Sequence, residues 1–318
     1  MNQPSPVSKV GLLYEHPTWS TELLSRLRRR DVAVTPIDIG DLTLALPDLG
    51  RPQDLWINRI NAMPSAGRPA TVVAAANHLL LSLELGGKRL VNGSRTHLIG
   101  GSKAAQTALF GALGLHTPPS IAVSGPADAV PAARKLGFPV LIKPNIGGSG
   151  RGIVRFDTTD ELDAAVSAGT IDLGIDGTGL VQRLIDSADG IVYRVEMLGS
   201  DLFYATRQPV QDDGFNYCAV DGGSATDPGA GDLPVGRSAA IALYRPEPEI
   251  LTAARRVMTA AACDVGGVEY LIDRVDGRPC FYDFNPYSNF VSGMDDLLGF
   301  NLVDRYLDAV LGTRSRLS

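Results

Sequence analysis

The stretch FPVLIKPNIGGSGRGIVRF, from Phe138 to Phe156, constrains the fold of this chain more than any other. Two apolar runs of strand character flank a segment carrying Gly147, Gly148, Gly150 and Gly152, with Ser149 among them. Glycine at that density excludes a helix and favours a strand–loop–strand hairpin. Backbone N–H groups clustered in such a loop make a nest for phosphate oxygens. Lys143, at the end of the first run, adds a point charge suited to phosphate. The alternative is a flexible hairpin that holds nothing. Two common phosphate motifs are excluded. Lys103 in GGSKA is followed by Ala104 rather than Ser or Thr, and Gly148-x-Gly150 runs into Ile153 where the dinucleotide fingerprint needs glycine. A phosphate here is therefore gripped by a flap between two strands and not by a helix N-terminus.

The segments around this hairpin predict the architecture. A chain of 318 residues implies two or three structural units. Val7–Tyr14, Val32–Ile39, Asp54–Ile60 and the short KRLVN read as strands, separated by helices at Thr21–Arg30 and Ala70–Leu85. That alternation predicts a parallel sheet covered on both faces over residues 1–95. Residues 96–178 read as a small α+β lobe, with helices at Ser102–Leu113, Ala127–Leu136 and Thr159–Ala168 around a strand at Ser120–Ser124 and the glycine hairpin. Residues 179–318 read as antiparallel strands (LVQRLI, IVYRVEMLG, LFYATRQPV), a loop over Asp212–Gly236, a helix at Glu247–Cys263, a hairpin turning at Asp276-Gly277, and a helix at Asn301–Leu311.

The late hairpin, GVEYLIDRVDGRPCFYDFNPYSNFV, is a second chemical feature. Asp283 and Asn285 are two apart and point to one face, and Glu269 on the partner strand can lie across from them. Three hard oxygen side chains on one face suit Mg²⁺, with Mn²⁺ as the alternative ion. The neighbouring Tyr270, Phe281, Tyr282, Phe284 and Tyr287 argue for partial burial, where an unpartnered acid is costly. A merely solvated hairpin is the competing reading.

Composition removes other classes. A net charge of −6 argues against a nucleic-acid binder. The three cysteines have no metal-ligand spacing and an odd count, and no pair among the four histidines is four residues apart. Met1–Ser8 has no signal-peptide apolar run, and the longest apolar stretch, Ala70–Leu85, is broken by Asn77, His78, Ser82 and Glu84. The expectation is a cytoplasmic protein that neither spans a membrane nor binds nucleic acid.

Lys103, Lys143 before a glycine flap, VQRLI, and an acidic strand ending DFN form an ordered set from about Asn92 to the C-terminus. This set resembles the ATP-grasp superfamily, most closely its branch of ribosomal-S6-type glutamate ligases and bacterial glutathione synthetases. The resemblance implies an ATP-grasp fold, an N-terminal parallel α/β domain followed by two α+β lobes that enclose a nucleotide cleft. It implies that Lys103 and Lys143 contact nucleotide phosphates under a flap of Gly147, Gly148, Ser149, Gly150 and Gly152. It also implies that backbone groups of Leu184 read the adenine beside Gln182 and Arg183, and that Glu269, Asp283 and Asn285 hold the metal. Arg194 matches an arginine that faces the acylphosphate. Arg183 stands where relatives carry Glu, Val192 where an acid holds ribose (Asp189 is nearby), Asp283 where Glu is usual, and Asn216, Tyr217 and Cys218 where a basic residue and an asparagine are expected.

The implied reaction is ADP-forming: ATP phosphorylates a small carboxylate, and an amine displaces phosphate to give an amide or peptide bond. A non-catalytic ATP-binding module and a small-molecule kinase are the alternatives, and relatives are often oligomers. Substrate contacts are expected from INRINAMPSAGR, with Asn58, Arg59, Asn61 and Arg68 after a strand end, and from Arg207, Tyr287, Ser288 and Asn289. The departures imply a specialised ligase with poor activity toward glutamate.

Overall fold

The computed structural model describes residues 7–16, 18–41, 53–61, 68–148, 150–210, 241–288, 290 and 294–312. Ser149, Asn289, and the loop read over Asp212–Gly236 with Asn216, Tyr217 and Cys218 lie outside the described residues.

The first sheet is parallel. Strands β1 (Lys9–Tyr14), β2 (Ala33–Asp38), β3 (Leu55–Arg59) and β4 (Leu90–Val91) lie in the order β2-β1-β3-β4, with helices α1 (Thr21–Arg29) and α2 (Thr71–Leu85) between them. Val10, Leu12 and Leu13 are fully buried on both faces of β1, as a covered parallel strand requires. Helix α1 buries Leu23 and Leu27, with Glu22 in its first turn and Arg26, Arg28 and Arg29 in its last, which complements the helix dipole.

A short helix α3 (Ser94–Gly100) precedes α4 (Lys103–Ala112). The second sheet follows, with strands β5 (Ser120–Val123), β6 (Val140–Pro144), β7 (Val154–Phe156) and β8 (Gly179–Arg183) in the antiparallel order β5-β8-β6-β7. Helices α5 (Ala129–Leu136) and α6 (Thr159–Ser167) pack on it. Thr158 and Glu161 form a reciprocal capping box at the start of α6. The glycine stretch is the loop of the β6–β7 hairpin.

The third sheet has five antiparallel strands in the order β11-β10-β9-β12-β13: β9 (Ser187–Leu198), β10 (Asp201–Pro209), β11 (Ala242–Leu243), β12 (Val265–Asp273) and β13 (Pro279–Asn285). Helix α7 (Pro248–Ala261) covers one face, where Ile250, Ala254, Val257 and Met258 meet Val195, Met197, Val268, Tyr270, Phe281 and Phe284. The chain closes with α8 (Met294–Leu298) and α9 (Leu302–Val310). Helix α9 returns to the first sheet. Its Leu302, Val303, Tyr306 and Leu307 share a core with Leu23 and Leu27 of α1, and Arg30 pairs with Asp304 and Asp308 at 3.0 and 2.8 Å.

Asn92 stitches these parts together. Its Oδ1 accepts from Asp264 N (2.9 Å) and Val265 N (3.1 Å), and its Nδ2 donates to Val265 O (2.7 Å) and to Pro286 O. Its φ of 57° lies in the left-handed region that asparagine tolerates better than most residues.

Candidate active site

Strand alternation builds the site. With α7 on one face of the third sheet, the other face receives Arg194 and Glu196 of β9, Glu269 of β12, and Asp283 and Asn285 of β13. Glu269 lies directly across from Arg194 on one side and from Asp283 on the other. Asn285 Nδ2 bridges Glu269 Oε1 (3.2 Å) and Asp283 Oδ2 (3.3 Å), so the three side chains converge. Arg194 Nη1 donates to Glu269 Oε1 at 3.0 Å, its Nε donates to Glu196 Oε1 at 2.6 Å, and Tyr282 OH donates to Glu269 Oε2 at 3.1 Å.

Two lysines face these acids from other elements. Asn145, just past β6, accepts from Ser102 Oγ and Ala104 N at 3.0 Å each, and its carbonyl accepts from Lys103 N at 3.1 Å. That clamp sets the N-terminus of α4 beside the end of β6, and so Lys103 beside Lys143. Gln106 Oε1 then takes Phe284 N (3.1 Å), which docks α4 on β13 and brings Lys103 Nζ onto Asp283. Lys143 is buried and donates to Gln182 Oε1 at 2.6 Å, and Gln182 Nε2 donates to Ser120 Oγ at 2.9 Å.

Burial and charge set the protonation states. Lys143 is lowered to about 8, first by burial and then by repulsion from Lys103. Glu269 is raised to about 7 by burial, against the pull of Arg194 and with the push of Asp283. Burial also opposes ionisation of Asp283, but the Lys103 charge and hydrogen bond, with Lys143 and Arg194, hold it below the ordinary carboxylate value. Lys143 and Asp283 thus act on one another directly across the cleft between the second and third sheets.

The donor set fits a divalent cation that prefers oxygen: two carboxylates and one amide converge, and the Lys103 ammonium on Asp283 stands where such a cation's charge belongs.

The flap residues Gly150 and Gly152 have φ of 70° and 72°, and a Cβ on Gly152 would come within 2.7 Å of Pro144 Cγ. Glycine at 152 is therefore required by conformation and by space.

Several expected nucleotide contacts are already engaged. The Leu184 N–H, expected at the base edge, donates to Pro139 O at 3.0 Å. Arg183 is exposed and its N–H donates to Pro119 O at 2.9 Å. Asp189 accepts from Tyr193 OH (2.7 Å), Ser187 Oγ (2.8 Å) and Ile191 N (3.0 Å); these bonds outweigh partial burial and keep its carboxyl low.

Three of the expected substrate residues converge at the end of β3. Arg59 Nη1 donates to Ser288 O (3.0 Å), its guanidinium stacks 5.0 Å from the centre of the Phe290 ring, and Ser288 Oγ meets Tyr204 OH at 3.3 Å. Tyr287 OH takes Asn58 Nδ2 at 3.0 Å and meets His97 Nδ1 at 2.6 Å. Arg68 is tied instead to Asp38 (2.5 Å) and to the Glu15 carbonyl (2.9 Å). Arg207 lies opposite Tyr193, on the α7 side of the sheet and away from Arg194. Sequence reading missed Glu15, His97 and Glu196, all buried. Only Glu196 carried a local signal, its position two residues after Arg194 on one strand.

Residues 102–197 match the family described as carbamoyl-phosphate synthase L chain, ATP binding domain. The chain is 32% identical over 139 residues to a D-alanine–D-alanine ligase of Paenarthrobacter aurescens, a match covering 39% of this chain and 37% of that protein. It is 28% identical over 256 residues to a D-alanine–D-alanine ligase of Arthrobacter sp., covering 74% and 63%. Each match thus spans less than two thirds of the relative. Among solved structures, a RimK domain ATP-grasp protein of Sphaerobacter thermophilus superposes with TM-score 0.65 at 18% identity, covering 94% of this chain and 98% of that one. The D-alanine–D-alanine ligase of Bacillus anthracis complexed with ATP gives 0.62 at 16% identity, covering 97% and 98%. The chain has the ATP-grasp fold. No helix among the described residues is long and apolar enough to cross a membrane.

Proposed function

We propose that this protein is an ATP-dependent carboxylate–amine ligase that forms an amide or peptide bond between small amino-acid-like substrates and releases ADP and phosphate. The observation that carries the reading is the convergence of Lys103 and Lys143 with Glu269, Asp283 and Asn285 across one cleft, with Lys143 on the strand that leads into the glycine hairpin. The amino-acid character of the substrate draws support from the D-alanine–D-alanine ligases that the chain resembles.

In this reading Lys103 and Lys143 bind the phosphates of ATP, and the hairpin Gly147–Gly152 lies over them. Glu269, Asp283 and Asn285 hold Mg²⁺, which supplies charge neutralisation at the phosphates. A substrate carboxylate and a γ-phosphate are both anionic, so their approach needs positive charge. Lys143 is fixed there by Gln182 and Arg194 by Glu196 and Glu269. The carboxylate oxygen bonds to the γ-phosphorus, and the bond to the ADP oxygen breaks. The amine then attacks the acyl carbon of this acylphosphate, phosphate leaves with the C–O electron pair, and the proton lost by nitrogen passes to the departing phosphate. The closed flap keeps water from the acylphosphate. Arg59, Tyr287 and Ser288 border the region from which the substrates enter.

ADP release with a panel of D- and L-amino acids tests the reading. Lys143→Met and Asp283→Asn are each expected to lower the rate by at least about a hundredfold. A product carrying the mass of a new amide separates ligation from phosphoryl transfer alone. ATP that binds tightly yet yields no ADP with any carboxylate would refute the reading.

A further inference from the structure

We propose that Glu196 forms the floor of a subsite for a primary ammonium group, the amine side of the substrate pair. Its place in a reaction rests on the ligase reading, but the binding does not require turnover. Glu196 is fully buried. Its Oε1 receives the Arg194 guanidinium through Nε at 2.6 Å and Nη2 at 2.5 Å, whereas its Oε2 is buried without a hydrogen-bond partner. An acceptor left without a donor away from water is costly, and such oxygens in native folds are answered by a group that belongs there.

The surroundings define that group. Glu196 lies directly across from Gly267 on β12 and from Tyr204 on β10. A Cβ on Gly267 would come within 3.0 Å of Glu196 Cδ and Oε1, so glycine lets the Glu196 carboxylate lie close against the β12 backbone. Tyr204 reaches Ser288 Oγ, and the Ser288 carbonyl holds Arg59. The open oxygen thus sits between the acid face of the third sheet and the end of β3. Arg194 is shared by two carboxylates, Glu196 and Glu269, and its bonds to Glu196 both fall on Oε1, while Arg59 acts on Glu196 from the end of β3 without a hydrogen bond to Oε2. An incoming ammonium would supply the donor that Oε2 lacks. A carboxylate would be repelled there. Glu196→Gln keeps the shape and the acceptor toward Arg194 while turning the open position into a donor, which opposes an ammonium.

The test uses the full chain with magnesium and a non-hydrolysable ATP analogue, read by calorimetry. D- and L-alaninamide carry an ammonium and no carboxylate, and the two N-acetylalanines carry the reverse. Wild type is expected to bind at least one alaninamide, and E196Q to weaken that binding by about tenfold or more, while N-acetylalanine affinity changes by less than about twofold. E196D, which keeps the charge, is expected to recover part of the loss. The proposal is overturned if wild type binds neither alaninamide, if E196Q leaves alaninamide binding unchanged, or if it weakens both probe classes alike. Alaninamide binding that depends on Glu196, without ADP release from any carboxylate, would remove the ligase reading and leave the subsite standing.

Discussion

At the scale of single residues, the site is a problem of burying charge. Lys143 has lost its water, and only Gln182 and opposing acids compensate. Its value near 8 lies below the ordinary 10.5 of lysine. The stability it contributes is therefore present above 10.5 and is lost as pH falls through 8. Triphosphate reverses the preference, because a phosphate neighbour favours the charged amine. Between these two values, ATP binding should take up a proton, and affinity should weaken as pH rises. Calorimetry at about pH 9 in two buffers of unlike ionisation enthalpy measures this uptake, and K143M should abolish it. His97 gives the opposite end of the scale. Burial lowers it to about 4 from 6.5, so it is neutral beside Tyr287, and the stability it contributes falls as pH drops from 6.5 toward 4. His97→Gln should flatten that part of an acid-unfolding curve followed by fluorescence.

At the scale of elements, two small features control the arrangement. Gly152 turns the flap with φ of 72° where a side chain would strike Pro144. Gly152→Ala should cost the closed flap about 1–3 kcal/mol and lower kcat/KM for ATP by roughly tenfold or more in an ADP-release assay. Asn92 joins β4 to β12 and to the segment after β13 with four hydrogen bonds. Asn92→Ala leaves those buried groups unmatched and should cost about 3 kcal/mol, seen as a lower urea midpoint.

Such elements also mark what the sequence could and could not reveal. The glycine hairpin, the alternation of β1, α1 and β2, and the Glu269–Asp283–Asn285 face were legible because their signals are local: glycine density, apolar period, and spacing of two along a strand. Helix α3 was not, since SRTHLIG mixes charge, polarity and glycine without an apolar stripe. Nor was Asn92, whose partners Asp264, Val265 and Pro286 lie at least 172 residues away. The Leu184 amide escaped for a related reason, because its acceptor, Pro139, lies far back in the chain, just before β6.

At the scale of the whole molecule, three sheets and a returning C-terminal helix place residues from distant parts of the chain around one cleft. Helix α4 is the keystone: it touches β6 through Asn145, β13 through Gln106 and the acid face through Lys103. The Lys103–Asp283 contact carries a consequence for what the resting protein admits. Lys103 and Asp283 neutralise one another, so an uncharged visitor gains nothing from either. Adenosine brings nothing to draw Lys103 away from its acid and should leave the melting temperature nearly unmoved. ATP with magnesium would bring anions for both lysines and a cation for the acid that Lys103 leaves, and at a hundred times its dissociation constant should stabilise the fold by about 2.7 kcal/mol. Thermal melts with adenosine, ADP and ATP would rank the three. That ranking, with adenosine last, would make the Lys103–Asp283 pair a check on what the cleft accepts.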